Sequence, residues 1–137
     1  MLINVIEIKK YTESWNNIVA RVSITIDNLF AIHDMKLIKE DGLLLAMPSR
    51  RTKVGKYKDI IHPISEQGRK SLEKLVFPLY ERALSKTATS ISFIFTNTDV
   101  ADILEQNADD FEIAQEFNGN YFVSEDLRKA IEAWGEE

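Results

Sequence analysis

Residues 18–26 alternate without interruption. Ile18, Ala20, Val22, Ile24 and Ile26 fall on one side, and Val19, Arg21, Ser23 and Thr25 on the other. Side chains two apart share a face of a strand, so this pattern is a strand with one buried face. Asp27-Asn28 follows at once, a pair suited to a two-residue hairpin turn. A second run then alternates from Phe30 to Ile38, with Phe30, Ile32, Asp34, Lys36 and Ile38 on one side and Ala31, His33, Met35 and Leu37 on the other. Apolar residues on both sides predict a central strand. Glu40-Asp41-Gly42 is a further tight turn, and Leu43–Met47 a fourth strand that stops at Pro48. Connections this short exclude helical crossovers, so these strands must form an antiparallel meander. Residues 2–10 alternate more loosely around Ile3, Val5 and Ile8, which predicts an edge strand, joined to the meander by the polar connection 12–17.

Past the meander, Lys58–Ile61 reads as a short fifth strand and His62-Pro63-Ile64 as extended chain, because a residue before proline avoids the helical region. Ser65 is placed to cap a helix over 66–84, where Leu72, Leu75, Val76, Leu79, Tyr80 and Ala83 recur at helical spacing. Pro78 lies inside this pattern and predicts a kink or a split. Lys86-Thr87-Ala88-Thr89-Ser90 is a polar linker. Beyond it, Ile91, Phe93 and Phe95 alternate as a strand, and Thr98 or Asp99 caps a short helix through Gln106. Ile113–Phe117 and Tyr121–Val123 flank a hairpin turn at Asn118-Gly119-Asn120, and Ser124 caps a last helix carrying Leu127, Ala130, Ile131 and Trp134. The expected architecture is α+β: an antiparallel meander followed by a helix in residues 1–84, with a small, acidic, ordered α/β extension in residues 85–137.

The chain has no cysteine, which excludes disulfides and thiolate metal sites. Glu7, Lys9 and Lys10 interrupt any apolar leader, and no apolar run is long enough to span a membrane, so a cytoplasmic protein is expected. The net charge of -5 conceals an asymmetry. Residues 1–84 hold 14 Lys and Arg against 10 Asp and Glu, whereas residues 85–137 hold 3 against 12. A basic body with an acidic last third marks an interaction surface or a modulating segment.

The basic charge is most concentrated between Pro48 and Ile60. Arg50, Arg51, Lys53, Lys56 and Lys58 lie within nine residues, with Tyr57 among them and Gly55 marking a turn. Apolar runs on each side would hold this loop by both ends. Arginine offers a planar donor fork for phosphate oxygens, lysine adds point charge, and an aromatic ring among cations can stack on a base. The plainer alternative is a solvated hairpin tip. Arg50 and Arg51 are adjacent, so in an extended segment they point to opposite faces, and only a loop or bulge brings both to one phosphate track.

Residues 18–84 resemble the stage V sporulation protein G family of septation regulators (SpoVG). The resemblance rests on Phe30, His33, Asp34 and Lys36, then on Gly42, Leu43, Ala46, Met47, Pro48, Ser49, Arg50, Arg51 and Thr52. It continues through Asp59, Ile60, His62, Pro63 and Ile64. It implies a small α+β protein that dimerises through its sheet, and a bacterial regulator of sporulation and septation that binds DNA and RNA. It implies nucleic-acid contact by the basic residues after Met47-Pro48-Ser49, which here are Arg50 and Arg51 with Lys53 nearby. Residues 85–137 have no counterpart in the short members of the family.

His33, Asp34, Asp59 and His62 include no nucleophile–base pair and no third metal ligand, so neither catalysis, a metal nor a cofactor is expected. Asp34 is placed to pair with a turn backbone or Arg21, and His62 to make a structural hydrogen bond. Trp15 is expected on the surface and Trp134 in a core. Two functions remain: a nucleic-acid-binding regulator using residues 50–58, and a protein-interaction adaptor in division control that docks through the acidic third.

Overall fold

The computed structural model describes residues 1–105 and 113–118. The strands are β1 (Leu2–Trp15), β2 (Ile18–Ile26), β3 (Phe30–Lys39), β4 (Leu43–Ala46), β5 (Ser49–Arg51) and β6 (Tyr57–Asp59). Helix α1 (Glu66–Leu84) follows, then β7 (Ser90–Asp99), a 3-10 helix over Val100–Glu105, and β8 (Ile113–Asn118). Six strands form one antiparallel sheet in the order β4-β3-β2-β1-β7-β8, and β5 and β6 form a separate two-stranded ribbon.

The meander is as the turn chemistry requires. Asp27 and Asn28 have φ of 52° and 51°, and Asn16 and Asn17 have 53° and 63°, so both hairpins use left-handed residues at both central positions. The first connection is therefore narrower than 12–17, because β1 runs on to Trp15. The Asp27-Asn28 turn is also tied to the start of β1. Leu2 N donates to Asp27 Oδ1 at 2.7 Å, and Asn28 N donates to Asn4 Oδ1 at 2.6 Å.

Two expectations about strand placement are corrected. β1 is not an edge strand. It pairs with β2 on one side and β7 on the other, so it lies inside the sheet. Its second partner is some ninety residues away in sequence, and local alternation carries no sign of it. The alternation of β3 also breaks midway. Between Val22 and Ile24 of β2 stands one residue, Ser23, whereas His33 and Asp34 stand between their partners Ile32 and Met35. This is a β-bulge, with Asp34 at φ 63°. It resets the phase, so Ile32, Met35 and Leu37 all turn toward the core.

Helix α1 covers one face of the sheet. Leu75, Val76, Leu79, Tyr80 and Ala83 pack against Ile6, Ile8, Ala20, Val22, Met35, Leu37 and Leu45. Ser65 caps the helix as expected, its Oγ accepting from Gly68 N at 3.0 Å. Pro78 does not split it: α1 is continuous over 19 residues. Pro78 stands on the exposed side, while Leu75 and Val76 before it and Leu79 and Tyr80 after it are buried, so both halves of the helix pack on the core. At the far end, Lys10 Nζ donates to the carbonyls of Ala83 (2.7 Å) and Lys86 (2.6 Å), a cation placed where the helix carbonyls point.

The chain beyond Leu84 returns to the same sheet. β7 adds to β1, and Ile91, Phe93 and Phe95 are buried in the core with the meander. Asp99 Oδ1 accepts from Ala101 N at 3.0 Å at the start of the 3-10 helix. β8 covers Ile113–Asn118, close to the strand expected there. The hairpin at Asn118-Gly119-Asn120, the strand from Tyr121 and the helix after Ser124, with Trp134, lie outside the described residues, as does the side chain of Trp15.

Candidate nucleic-acid interface

The basic stretch is a small hairpin projecting beyond β4. Ser49 pairs with Asp59, Arg50 with Lys58 and Arg51 with Tyr57. Ile60 N donates to Pro48 O at 2.8 Å and closes the base of the ribbon. At the tip, Gly55 N donates to Thr52 O at 2.9 Å and Thr52 N to Lys56 O at 2.7 Å. Gly55 has φ 80°, the left-handed geometry this turn needs and glycine adopts without strain. Lys53 and Lys56 therefore sit at the tip, and Arg50, Arg51 and Lys58 on the arms.

The register decides which cations act together. Arg50 and Lys58 are directly opposite and share one face of the ribbon, whereas Arg51 shares the other with Tyr57. The two arginines do point apart, because β5 is an extended strand. All six residues, Arg50, Arg51, Lys53, Lys56, Tyr57 and Lys58, are exposed. Like charges directly opposite on paired strands destabilise the ribbon by themselves. An anion between Arg50 and Lys58 would reverse the sign of that interaction.

The ribbon is anchored mainly on one side. Leu45 and Met47 are buried, but Ile60 is 67% exposed and Ile64 97%. The downstream apolar run therefore does not mirror the upstream one. It borders instead an apolar cavity of about 260 Å³, lined by Ile26, Ile32, Met47, Ile61, Ile64 and Val100 among others. Leu29 and Phe30, at the β2–β3 turn, are exposed as well. One buried polar atom is notable: Thr52 Oγ1, at the base of the ribbon tip, has no hydrogen-bond partner among the described residues.

The histidines and carboxylates weighed for chemistry are dispersed. His33 Nδ1 lies 3.1 Å from Ser23 Oγ across the bulge, and His62 Nδ1 lies 2.9 Å from Pro63 O. Asp34 reaches Arg21 Nη1 at 3.5 Å, one of the two partners expected for it. Among the described residues no three His, Asp or Glu side chains gather as a metal site.

Two described acidic residues of the last third, Glu116 and Asp99, are engaged in ion pairs. Glu116 of β8 lies between Arg82 and Lys86 at the end of α1. Among the described strands, β8 stands at the opposite end of the sheet from β4. Asp99 lies 3.5 Å from the Met1 ammonium.

Fold and basic ribbon together define a class: a small α+β protein with, among the described residues, one α-helix packed on an antiparallel sheet and a cationic hairpin held outside it. The SpoVG family model matches residues 1–82, and the chain belongs to the SpoVG family. Proteins bearing the name "Putative septation protein SpoVG" are similar to it. That of Lachnospira eligens is 54% identical over 65 residues, covering 47% of this chain and 74% of the relative. That of Borreliella afzelii is 45% identical over 80 residues, covering 56% and 82%. That of Caldicellulosiruptor bescii is 42% identical over 86 residues, covering 62% and 97%. Nearly the whole of this last relative thus corresponds to part of the present chain.

Proposed function

We propose that the protein is a SpoVG-like regulator that binds DNA and RNA in the cytoplasm through the β5–β6 ribbon, without enzymatic activity or a cofactor. The observation that carries this reading is the placement of Arg50 directly across from Lys58 on an exposed ribbon. A protein gains nothing in isolation from that pairing, whereas a phosphate between the two cations accepts from both. Arg51 beside Tyr57 adds a second face, on which a base can stack against the ring while the guanidinium holds a backbone oxygen. Lys53 and Lys56 extend the positive field at the tip. A homodimer would present two such ribbons on one particle.

A gel-shift titration of Arg50→Ala with Arg51→Ala, on DNA and RNA of several sequences, tests the reading. Affinity should fall across all of them, because phosphate contacts position without reading sequence. Unchanged affinity in the folded double variant removes the ribbon from the interface.

A second reading, a protein-interaction adaptor in septation, draws on the exposed apolar side chains of Ile61 and Ile64, which line the apolar cavity. A partner held by those residues would bind with little dependence on salt, unlike a polyanion.

A further inference from the structure

The face of the sheet turned away from α1 carries a row of cations that alternation within single strands does not reveal. Lys9 of β1 is paired with Arg21 of β2, and Arg21 with Lys36 of β3. Directly opposed residues point to the same face. That face is opposite the helix, because Ile8, Ala20, Val22, Met35 and Leu37, the sequence neighbours of these three residues, are all buried in the core beneath α1. Three cations thus stand side by side on adjacent strands, about 5 Å apart from one strand to the next.

Among the described residues, little answers this charge. Arg21 has Asp34 at 3.5 Å, an exposed pair whose carboxylate is 67% accessible. Glu7 lies in the neighbouring row, opposite Ser23. Among the described residues neither Lys9 nor Lys36 makes an ion pair. An aromatic ring completes the arrangement, with Arg21 Cζ 5.9 Å from the centroid of Tyr11. Tyr11 follows Lys9 by two residues along β1, on the same side.

We infer that this row, Lys9-Arg21-Lys36 with Tyr11, is a second contact for single-stranded nucleic acid, crossing the strands of the open face. Charge complementarity selects the ligand: a linear polyanion lays successive phosphates along a row of cations. The ring beside the guanidinium offers a stacking platform, which favours a single strand whose bases are free over a duplex whose bases are paired. Asp34 competes with phosphate for Arg21, so it acts as a brake on the site. The inference shares its ligand class with the ribbon reading and extends it to a separate element.

The test uses the full chain and a fluorescent oligo(dT) and oligo(U) of about 20 nucleotides, titrated between about 50 and 200 mM salt, the range in which phosphate contacts register. Lys9→Gln with Lys36→Gln keeps a polar side chain, one atom shorter, and removes two charges. It should flatten the log–log salt slope by about 1.4, at about 0.7 per single-strand contact. Asp34→Asn, which suits the left-handed backbone there, should tighten binding at low salt roughly twofold, since it removes a surface ion pair of small energy. An unchanged slope in the double lysine variant or weaker binding by Asp34→Asn would each overturn the inference. Arg50→Ala with Arg51→Ala, measured in parallel, separates the two proposals. Flattening by the lysine pair alone upholds the sheet row and removes the ribbon; flattening by the arginine pair alone does the reverse.

Discussion

Glu116 Oε2 lies 3.2 Å from Lys86 Nζ, and the same carboxylate also meets Arg82, so β8 is fastened to the end of α1 by one acidic residue between two cations. The side chain of Glu116 is 20% exposed and its partners are more open, which limits the contribution of the pair. Glu116→Gln should lower stability in urea by about 1 kcal/mol or less, with the difference shrinking as salt rises. No change at low salt would mean that β8 is held by the β7 ladder alone.

A larger loss is expected from β7. Phe93 is fully buried among Ile6, Ile8 and the residues of α1. Phe93→Ala should cost about 3–5 kcal/mol, read from the denaturant midpoint. Truncation after Leu84 removes Ile91, Phe93 and Phe95 together and bares the β1 edge. The truncated chain should melt lower than the full chain or associate through that edge. An equal melting temperature in a monodisperse sample would show that β7 adds no stability.

The acid limb of stability offers a further check. The backbone N–H of Ala101 holds the Asp99 carboxyl below the ordinary carboxylate range, the Met1 ammonium adding to it against some desolvation. A depressed folded pKa contributes stability above the unfolded value and loses it as pH falls through the folded one. Asp99→Asn should therefore narrow the stability difference between pH 7 and acid, below the ordinary carboxylate pKa of about 4. Urea midpoints at the two pH values measure it, and parallel pH dependence of the two proteins would contradict this role.

Self-association is expected as well. β4 spans four residues at an edge of the sheet among the described strands, and the exposed side chains of Ile61 and Ile64 line the cavity that adjoins Met47. Sedimentation at micromolar concentration should show a dimer. A monomer there would contradict edge or patch pairing.

Much of this fold was legible because its signals are local. The alternation of Ile18 to Ile26, the Asp27-Asn28 turn, the Ser65 cap and the helical spacing from Leu72 to Ala83 each depend on neighbours a few residues away. What escaped was set by distant pairing. β1 reads as an edge strand until β7 is placed beside it. The bulge at Asp34 is invisible until Ser23 is seen opposite two residues instead of one. Ile60 and Ile61 read as an anchor because they are apolar, yet it is the upstream run, with Leu45 and Met47 buried, that holds the ribbon. The basic cluster was legible as composition, but the pairing of Arg50 with Lys58, and of Lys9 with Arg21 and Lys36, belongs to register. The rest of the acidic last third lies outside the described residues.

The most direct test of the ribbon reading is the salt dependence of nucleic-acid binding by Arg50→Gln with Lys58→Gln. Removing two facing like charges should leave the fold as stable as before, or raise stability by a few tenths of a kcal/mol. The same change should weaken binding and flatten the log–log salt slope by about 1.4 on single strands, or about 1.8 on duplex. Stability held while the slope flattens is the predicted result. A slope and affinity identical to those of the unaltered chain would contradict the account.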